Sequence, residues 1–464
     1  MSLPEELQGR RIISGTLRVP SLSGWETRGN RKFCNGTTEC AYYFANLPMA
    51  LKFGLRILFA VCVAWLSTNE GFAEGPWAQW QGPERNAVSK ETGLLQELPA
   101  GGPPRLWLFE DCGIGYAGPA VVGEKLFILG AREGTDYLLC LNVADGQELW
   151  AAPLGPTLEN DWGDGPRSTP TVDGDKVYVL TPQGTLYCLQ AASGGIEWSK
   201  PMQEFGGKIP VWGYSESPLV LGDTLYCTPG QEQGAIVALD KYSGELKWQA
   251  SEVADIAHYS SIMPLEYEGK TQLVQLLFKE LVGLDARDGK LLWSIPFPGN
   301  FAVIPTPIVA GNKVYATAGY GAGCVMVKLT GDEAEVVYDN KNMSNHHGGV
   351  ILLDGHLYGH SDGKGWVCQN FESGEIVWRE REALGKGAIT YADGRFYCLS
   401  EDTGEVVVIA ASSAGWEEHG RFTLSPQTEL RKPKGKIWTH PVIADGRLYL
   451  RDQNLLFSFD VKGE

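Results

Sequence analysis

No two cysteines are adjacent in this sequence, and no pair has the spacing Cys-x-x-Cys. The first absence excludes a vicinal disulfide; the second leaves no zinc-type pair and no c-type haem attachment. Basic charge is scarce as well, with 39 Lys and Arg against 56 Asp and Glu and a formal net charge of −17. That balance argues against a nucleic-acid partner, because phosphate recognition needs clustered Lys and Arg. Arg431-Lys-Pro-Lys-Gly-Lys436 is the one basic run, and it reads as a solvated loop. Long amphipathic helical patterns are missing too. The apolar run Ile57–Leu66 falls short of the roughly 20 residues a membrane-spanning helix needs.

Glycine and tryptophan are plentiful instead, at 58 and 15 residues. They sit in a repeat that is clearest from Thr169 to Trp198, TPTVDGDKVYVLTPQGTLYCLQAASGGIEW. Asp173-Gly174 is a hairpin dipeptide, Lys176–Leu180 alternates with the period of two of a strand, and Gln183-Gly184 turns the chain again. Ser193-Gly-Gly195 then leads to a strand closed by Trp198. The unit is a four-stranded antiparallel meander. Copies begin at Gly118, Ser217, Ser261, Thr306, Gly348 and Gly387, closing on Trp150, Trp248, Trp293, Tyr338, Trp378 and, in the last, Phe422. His440–Val461 supplies only three strands, and Arg105–Phe109, which looks like a closing Trp strand without a blade before it, is the expected fourth. A period of about 40–50 residues with four strands per unit is that of a propeller blade.

The fold expected is therefore all-β: an eight-bladed β-propeller of four-stranded antiparallel blades closed by an N-terminal strand, with seven blades as the alternative count. The order of strands and turns resembles the pyrroloquinoline-quinone (PQQ) repeat family, whose docking motif "LDxxTGxxxW" is matched at Leu141–Trp150, Leu189–Trp198, Leu239–Trp248 and Leu284–Trp293. The resemblance runs from about Trp77 to the C-terminus.

Residues 1–48 carry no repeat and read as a mis-extended start or a tail. Residues 49–73 join a short basic region, the apolar core Ile57–Leu66 and Gly71-Phe-Ala73, the pattern of a secretory signal peptide cleaved after Ala73. Export to the periplasm or beyond, with no membrane span after cleavage, is the expectation. Residues 74–104 form an entry segment in which Trp77-Ala-Gln-Trp-Gln-Gly-Pro83 resembles the "W-x-x-W-R-G-P" opening of secreted bacterial PQQ-like propellers; it is expected to lie across the propeller and cover apolar surface. Residues 105–464 are the propeller. Seven cysteines follow Ala73, and Cys140, Cys188 and Cys368 recur at one register position, as buried packing residues do.

Chemistry in a propeller gathers where the innermost strands open onto the central channel. Aligning the blades puts Tyr116, Arg167, Trp212, Tyr214, Glu216, His258, Tyr259, His346, His347, Lys386, Trp438 and His440 at or just before those strands, with Tyr320 on a neighbouring loop. Such convergence of rings and hydrogen-bonding groups is a binding funnel. Each residue also has a plain structural reading. Arg167 follows Asp161-Trp-Gly-Asp164 and pairs with one of those carboxylates, or its planar fork faces a carboxylate ligand. Trp212 packs under Gly213 or stacks on a flat ligand. Glu216, His258 and His346 are the candidates for catalysis, and no metal site is expected because neighbours on a strand point to opposite faces.

The family resemblance implies two functions. Quinoprotein alcohol dehydrogenases hold PQQ and Ca²⁺ under a vicinal Cys-Cys disulfide, and this sequence lacks that pair and any matchable Glu…Asn…Asp set. The BamB-like members of the outer-membrane assembly machinery bind protein partners. The expected function is an exported, non-catalytic binding or scaffold propeller, a monomer. It would take a cell-envelope protein segment, a saccharide or a small carboxylate at the funnel. The alternative is a PQQ/Ca²⁺-dependent dehydrogenase oxidising an alcohol or sugar, and a hydrolase or lyase working through His346 or His258 with Glu216 is a third reading.

Overall fold

Alternating strands and glycine turns build the same unit over and over in the computed structural model, which describes residues 76–463. Blade 1 comprises Ala120–Val122, Lys125–Arg132, Thr135–Asn142 and Glu148–Pro156, hydrogen-bonded in that order. Blades 2 to 7 repeat it over residues 171–201, 219–249, 263–296, 308–340, 350–380 and 387–423. Blade 8 takes three strands from residues 442–460, and its outer strand is Arg105–Phe109, antiparallel to Leu455–Asp460. The ring is an eight-bladed propeller closed by its N-terminal strand, so no blade edge is left open between its two ends. Blade 7 differs by carrying a fifth strand, Val88–Ser89, parallel to its innermost strand. Helix is almost absent among the described residues; Met202–Phe205 is one 3₁₀ turn. The segments read as a tail and a signal peptide, 1–48 and 49–73, lie outside the described residues.

One contact recurs at five of the blade junctions; it is absent between blades 4 and 5 and between blades 6 and 7, where Gly331 and Gly415 meet nothing within 4 Å. The glycine between the third and fourth strands sits in the left-handed region, and the closing aromatic of the preceding blade covers its bare Cα. Gly146 lies under Trp107, Gly194 under Trp150, Gly244 under Trp198, Gly289 under Trp248 and Gly374 under Tyr338. A Cβ at Gly244 (φ +70°) would fall 2.8 Å from Trp198 Cε3, so only glycine allows both the turn and the approach. The ring then hydrogen-bonds the same turn: Trp107 Nε1 donates to the Val143 carbonyl at 2.9 Å, Trp198 to Lys241 at 3.1 Å and Trp248 to Ala286 at 3.3 Å. A tyrosine on the second strand adds a second donor to two of these carbonyls, Tyr178 to Lys241 and Tyr226 to Ala286.

Blade 7 faces a neighbour whose fourth strand comes from the other end of the chain, so no such turn exists there. Phe422 packs edge-on to Phe459, centroids 5.2 Å apart, and Gly102 (φ +92°), just ahead of the closing strand, takes the place of the missing turn glycine beneath it. A second belt of bonds circles the channel wall: Thr169 N–H donates to Ser217 Oγ, Ser217 N–H to Ser261 Oγ, and Ser260 Oγ to the Pro305 carbonyl. All seven cysteines of the described residues are free and buried in the blades.

The docking contact has a direct test. Gly244→Ala and Gly269→Ala both impose a side chain on a left-handed backbone (φ +70° and +73°), but only the first meets a ring, since a Cβ at Gly269 touches nothing within 4 Å. Gly269→Ala is expected to lower stability by about 1 kcal/mol and Gly244→Ala by about 2 kcal/mol or more, read from denaturant midpoints. Equal losses would mean the aromatic contact contributes nothing beyond the turn.

Candidate functional site

The entry segment does more than cover apolar surface. From Trp77 to Ala87 it runs into the central channel and ties together blades around the ring. Trp77 bridges Val121 of blade 1, the Ala78 carbonyl accepts from Val172 of blade 2, and the Ala87 carbonyl accepts from Tyr391 of blade 7. Trp80 Nε1 donates to Thr306 Oγ1 beside blade 5 at 2.9 Å, and its ring lies 4.9 Å from that of His440 beside blade 8. Arg85 is fully enclosed, donating to Gln79 Oε1 and to the carbonyls of Ser217 and Pro218. Gln81, Arg85 and Ala87 all lie at φ +52° to +58°, a strain that tight surroundings sustain. The segment plugs the channel.

Above the plug a cavity of about 160 Å³ opens on one face of the ring. Nine of the residues anticipated from the blade alignment line it: Tyr116, Arg167, Trp212, Tyr259, Tyr320, His346, His347, Trp438 and His440. Their rings form a nearly continuous wall. Tyr116 meets Trp438 (4.9 Å), Trp438 stacks on His347 (4.9 Å, 26°), and His347 meets His346 (3.7 Å). That histidine pair lies in the loop before Val350–Leu353, not on a strand, so both line the cavity instead of pointing to opposite faces as expected. His346 then meets Tyr320 edge-on (4.4 Å), Tyr320 meets Phe301 (5.1 Å), Phe301 meets Trp212 (5.4 Å) and Trp212 meets Tyr259 (5.6 Å). Phe301 and Tyr320 are held at φ +67° and +54° and are exposed at the rim.

Four anticipated residues stand behind this wall. Tyr214 is buried in the packing between blades 2 and 3, its hydroxyl donating to backbone carbonyls. Glu216 is 1 % exposed and accepts from Thr228 N–H (2.7 Å) and Thr228 Oγ1 (2.9 Å), so both oxygens are engaged away from the cavity. His258 Nδ1 accepts from the Val303 N–H while its ring packs on Phe278. Lys386 donates to His346 Nδ1 at 2.5 Å and pairs with Asp362 at 2.9 Å. Missed from the sequence were Trp80 and Gln81 in the floor, Trp162 at the mouth and Thr306 in the wall. The "W-x-x-W" motif marked the first of these without saying that it enters the channel.

Arg167 answers the question its neighbours posed. Its Nη1 and Nη2 donate to the carbonyls of Gly165 (2.8 Å) and Gly163 (2.7 Å), and its guanidinium lies over the Tyr116 ring at 5.2 Å. Among the described residues it has no carboxylate within salt-bridge distance. The basic run explains why: Lys432 holds Asp164 at 2.7 Å and Lys434 holds Asp161 at 3.3 Å, so that loop crosses from blade 7 to the mouth and is more than a solvated connection. Among the described residues no carboxylate lines the cavity.

The histidines of the wall are neutral. Burial, then the neighbouring His347 and Lys386, depress His346 to about 2; burial and Lys386 bring His347 to about 3, and burial brings His440 to about 4. Hydrogen bonds set two tautomers. His346 accepts from Lys386 at Nδ1, which leaves the proton on Nε2; His440 donates Nε2–H to the His347 carbonyl at 2.7 Å, which leaves Nδ1 an acceptor. Those two remaining nitrogens, with Trp438 Nε1, have no partner among the described residues.

Calcium prefers six to eight oxygen ligands, and a wall of rings, neutral imidazoles and one guanidinium does not fit it. No group of three or more His, Cys, Asp or Glu able to hold a metal exists among the described residues. The donor set is thus wrong for the PQQ/Ca²⁺ chemistry of the alternative reading.

Fold and site together define a plugged, one-mouthed eight-bladed propeller of the PQQ-repeat class. A family model described as "Outer membrane protein assembly factor BamB" matches residues 132–380, more than half of the chain, and the chain belongs to that family. It is similar to the outer membrane protein assembly factor BamB of Moranella endobia (25 % identity, over 38 % of this chain and 42 % of that protein) and of Shewanella oneidensis (27 %, over 38 % and 52 %). The matches span about half the length of those relatives. Among solved structures it resembles BamB from Moraxella catarrhalis (TM-score 0.53, 17 % identity, 75 % of this chain and 95 % of that one). Quinohemoprotein alcohol dehydrogenase from Comamonas testosteroni is similar too (TM-score 0.56, 13 %, 84 % and 81 %). At these identities the solved structures share the fold alone.

Protonation gives a second prediction. Five histidines (258, 346, 347, 360 and 440) are held at about 2 to 4, so acid below pH 6.5 favours the unfolded chain, which takes up their protons. Burial raises Asp136, Glu216 and Glu401 to about 7, and these three act oppositely, favouring the folded chain between pH 4.5 and 7. Five outweigh three. Unfolding between pH 5 and 6 is expected to take up about two protons, a loss of roughly 3 kcal/mol per pH unit on acidification. Denaturant titrations at pH 5, 6 and 7.5 check it; stability rising toward pH 5 would refute the balance.

Proposed function

We propose that this chain is an exported, non-catalytic binding propeller of the cell envelope, which takes a partner segment or small ligand in its central funnel. The cavity carries the reading: a ring-walled, one-mouthed site with a cation free of protein carboxylates and no carboxylate of its own. General acid–base work near neutral pH calls for a group titrating near the working pH. The lining histidines lie far below it, and Glu216 is engaged behind the wall. Membership in a family described as an outer membrane protein assembly factor supports an envelope setting and a protein partner. The signal-like segment 49–73 supports export, with residues 74–104 as the entry segment that carries the plug and 105–464 as the ring. Trp162 at the mouth, and Val211 and Phe301 beside Trp212, leave apolar surface exposed, Val211 by 79 %.

Cross-linking of the purified chain in envelope extracts tests this. A double variant Trp212→Ala/Phe301→Ala is expected to lose partner capture by about tenfold or more, while Val377→Ala, on the outer strand of blade 6, keeps it. Capture that is indifferent to the funnel would contradict the reading. So would tight, Ca²⁺-dependent binding of PQQ in calorimetry.

A further inference from the structure

Resting on the funnel as the binding site, we propose that its cavity takes one pyranose ring bearing a carboxylate: a uronic acid residue of an acidic saccharide. Size comes first. A cavity of about 160 Å³ compares with the ~150 Å³ that accommodates a benzene ring, so its inner part seats a single six-membered ring, the rest of the guest leaving through the mouth. Charge comes next. Arg167 keeps three N–H groups beyond those given to Gly163 and Gly165, and a planar fork of this kind recognises a carboxylate. In a chain of net charge −17, a lining cation kept clear of its own nearest carboxylates is a constructed feature: Lys432 and Lys434 bind Asp164 and Asp161 and hold them off.

The remaining polar groups separate a sugar acid from an aromatic acid. Gln81 is 8 % exposed and lines the cavity, and its amide has no hydrogen-bond partner among the described residues. An amide both donates and accepts, and Tyr259 accepts from the Trp212 N–H while keeping its own O–H to give. His346 Nε2–H and Trp438 Nε1–H are unpaired donors in the wall, and His440 Nδ1 is an unpaired acceptor. These three are covered in this conformation, so the exposed contacts are those of Gln81 and Tyr259. A site holding donors and acceptors together matches hydroxyl groups, which do both; an arene carboxylate offers nothing to Gln81 Oε1. The indole faces of Trp212 and Trp438 suit the C–H faces of a pyranose, which meet a negative π surface.

Calorimetric titration of the full chain with D-glucuronate, D-galacturonate, D-glucose and benzoate tests the assignment. One of the uronates is expected to bind at least tenfold tighter than glucose, which lacks the carboxylate, and than benzoate, which lacks the hydroxyls. Arg167→Gln should weaken uronate binding by about tenfold to a hundredfold and leave glucose unchanged. Lys432→Ala is a positioning variant away from the ligand: it releases Asp164 to compete for Arg167, so uronate binding should fall while glucose binding does not move. Benzoate binding as tightly as the uronates, or uronate binding untouched in both variants, would overturn the proposal. If no uronate binds while Trp212→Ala/Phe301→Ala still abolishes partner capture, the sugar-acid assignment fails and the funnel reading stands. If capture is also indifferent, both fail.

Discussion

One contact repeats around this ring and the rest of the structure hangs on it: an aromatic ring laid over a glycine that has no side chain to keep it away. The turn requires a left-handed residue and the ring requires bare backbone, and glycine alone meets both conditions. Because each contact joins a blade to the next, the blades cannot settle independently, and the channel loops at their inner ends are held at fixed spacing. That spacing places rings from several inter-blade loops 3.7–5.6 Å apart around one cavity. Two junctions do without it: Trp293 covers Gly283 of its own blade, and Trp378 keeps only the hydrogen bond to the next blade's turn, at the Ser412 carbonyl. Where the chain ends meet, Gly102 comes from the N-terminal strand to sit beneath Phe422, so even the seam keeps the ring-over-glycine contact.

The plug turns a channel into a pocket. Without Trp77–Ala87 the innermost strands would enclose an open pore. With it, Trp80 and Gln81 become a floor, and the buried Arg85 anchors that floor to the carbonyls of blade 3. The backbone of the plug is strained at three non-glycine residues, which packing on all sides sustains. The pocket thereby depends on a segment outside the four-stranded blades.

Much of this was readable from the chain because blades repeat. Periodicity marks the strands of the blades, though not Val88–Ser89, and Trp107 identifies the closing strand because it carries a blade's last aromatic without the blade. The same alignment brings Tyr116, Arg167, Trp212 and the His346–His347 pair to the channel mouth. What it could not supply was direction. Glu216 and Tyr214 share that register, yet their side chains turn into the packing between blades, a choice made by Thr228 and by the Lys208 and Pro229 carbonyls of the flanking loops. Nor could it show that the basic run at Arg431–Lys436 relieves Arg167 of Asp161 and Asp164, since the partners lie some 270 positions apart. Trp80 and Gln81 escaped because a segment without a repeat has no register to align.

The central claim is that Arg167, freed from the protein's own carboxylates, is the recognition point of a one-mouthed binding funnel. A crystal structure of the chain soaked with D-glucuronate tests it most directly. The account predicts the carboxylate on the Arg167 guanidinium, the pyranose against the indole wall and Gln81 on its hydroxyls. A structure with Arg167 paired to Asp164, or with the sugar bound anywhere but this cavity, would contradict it.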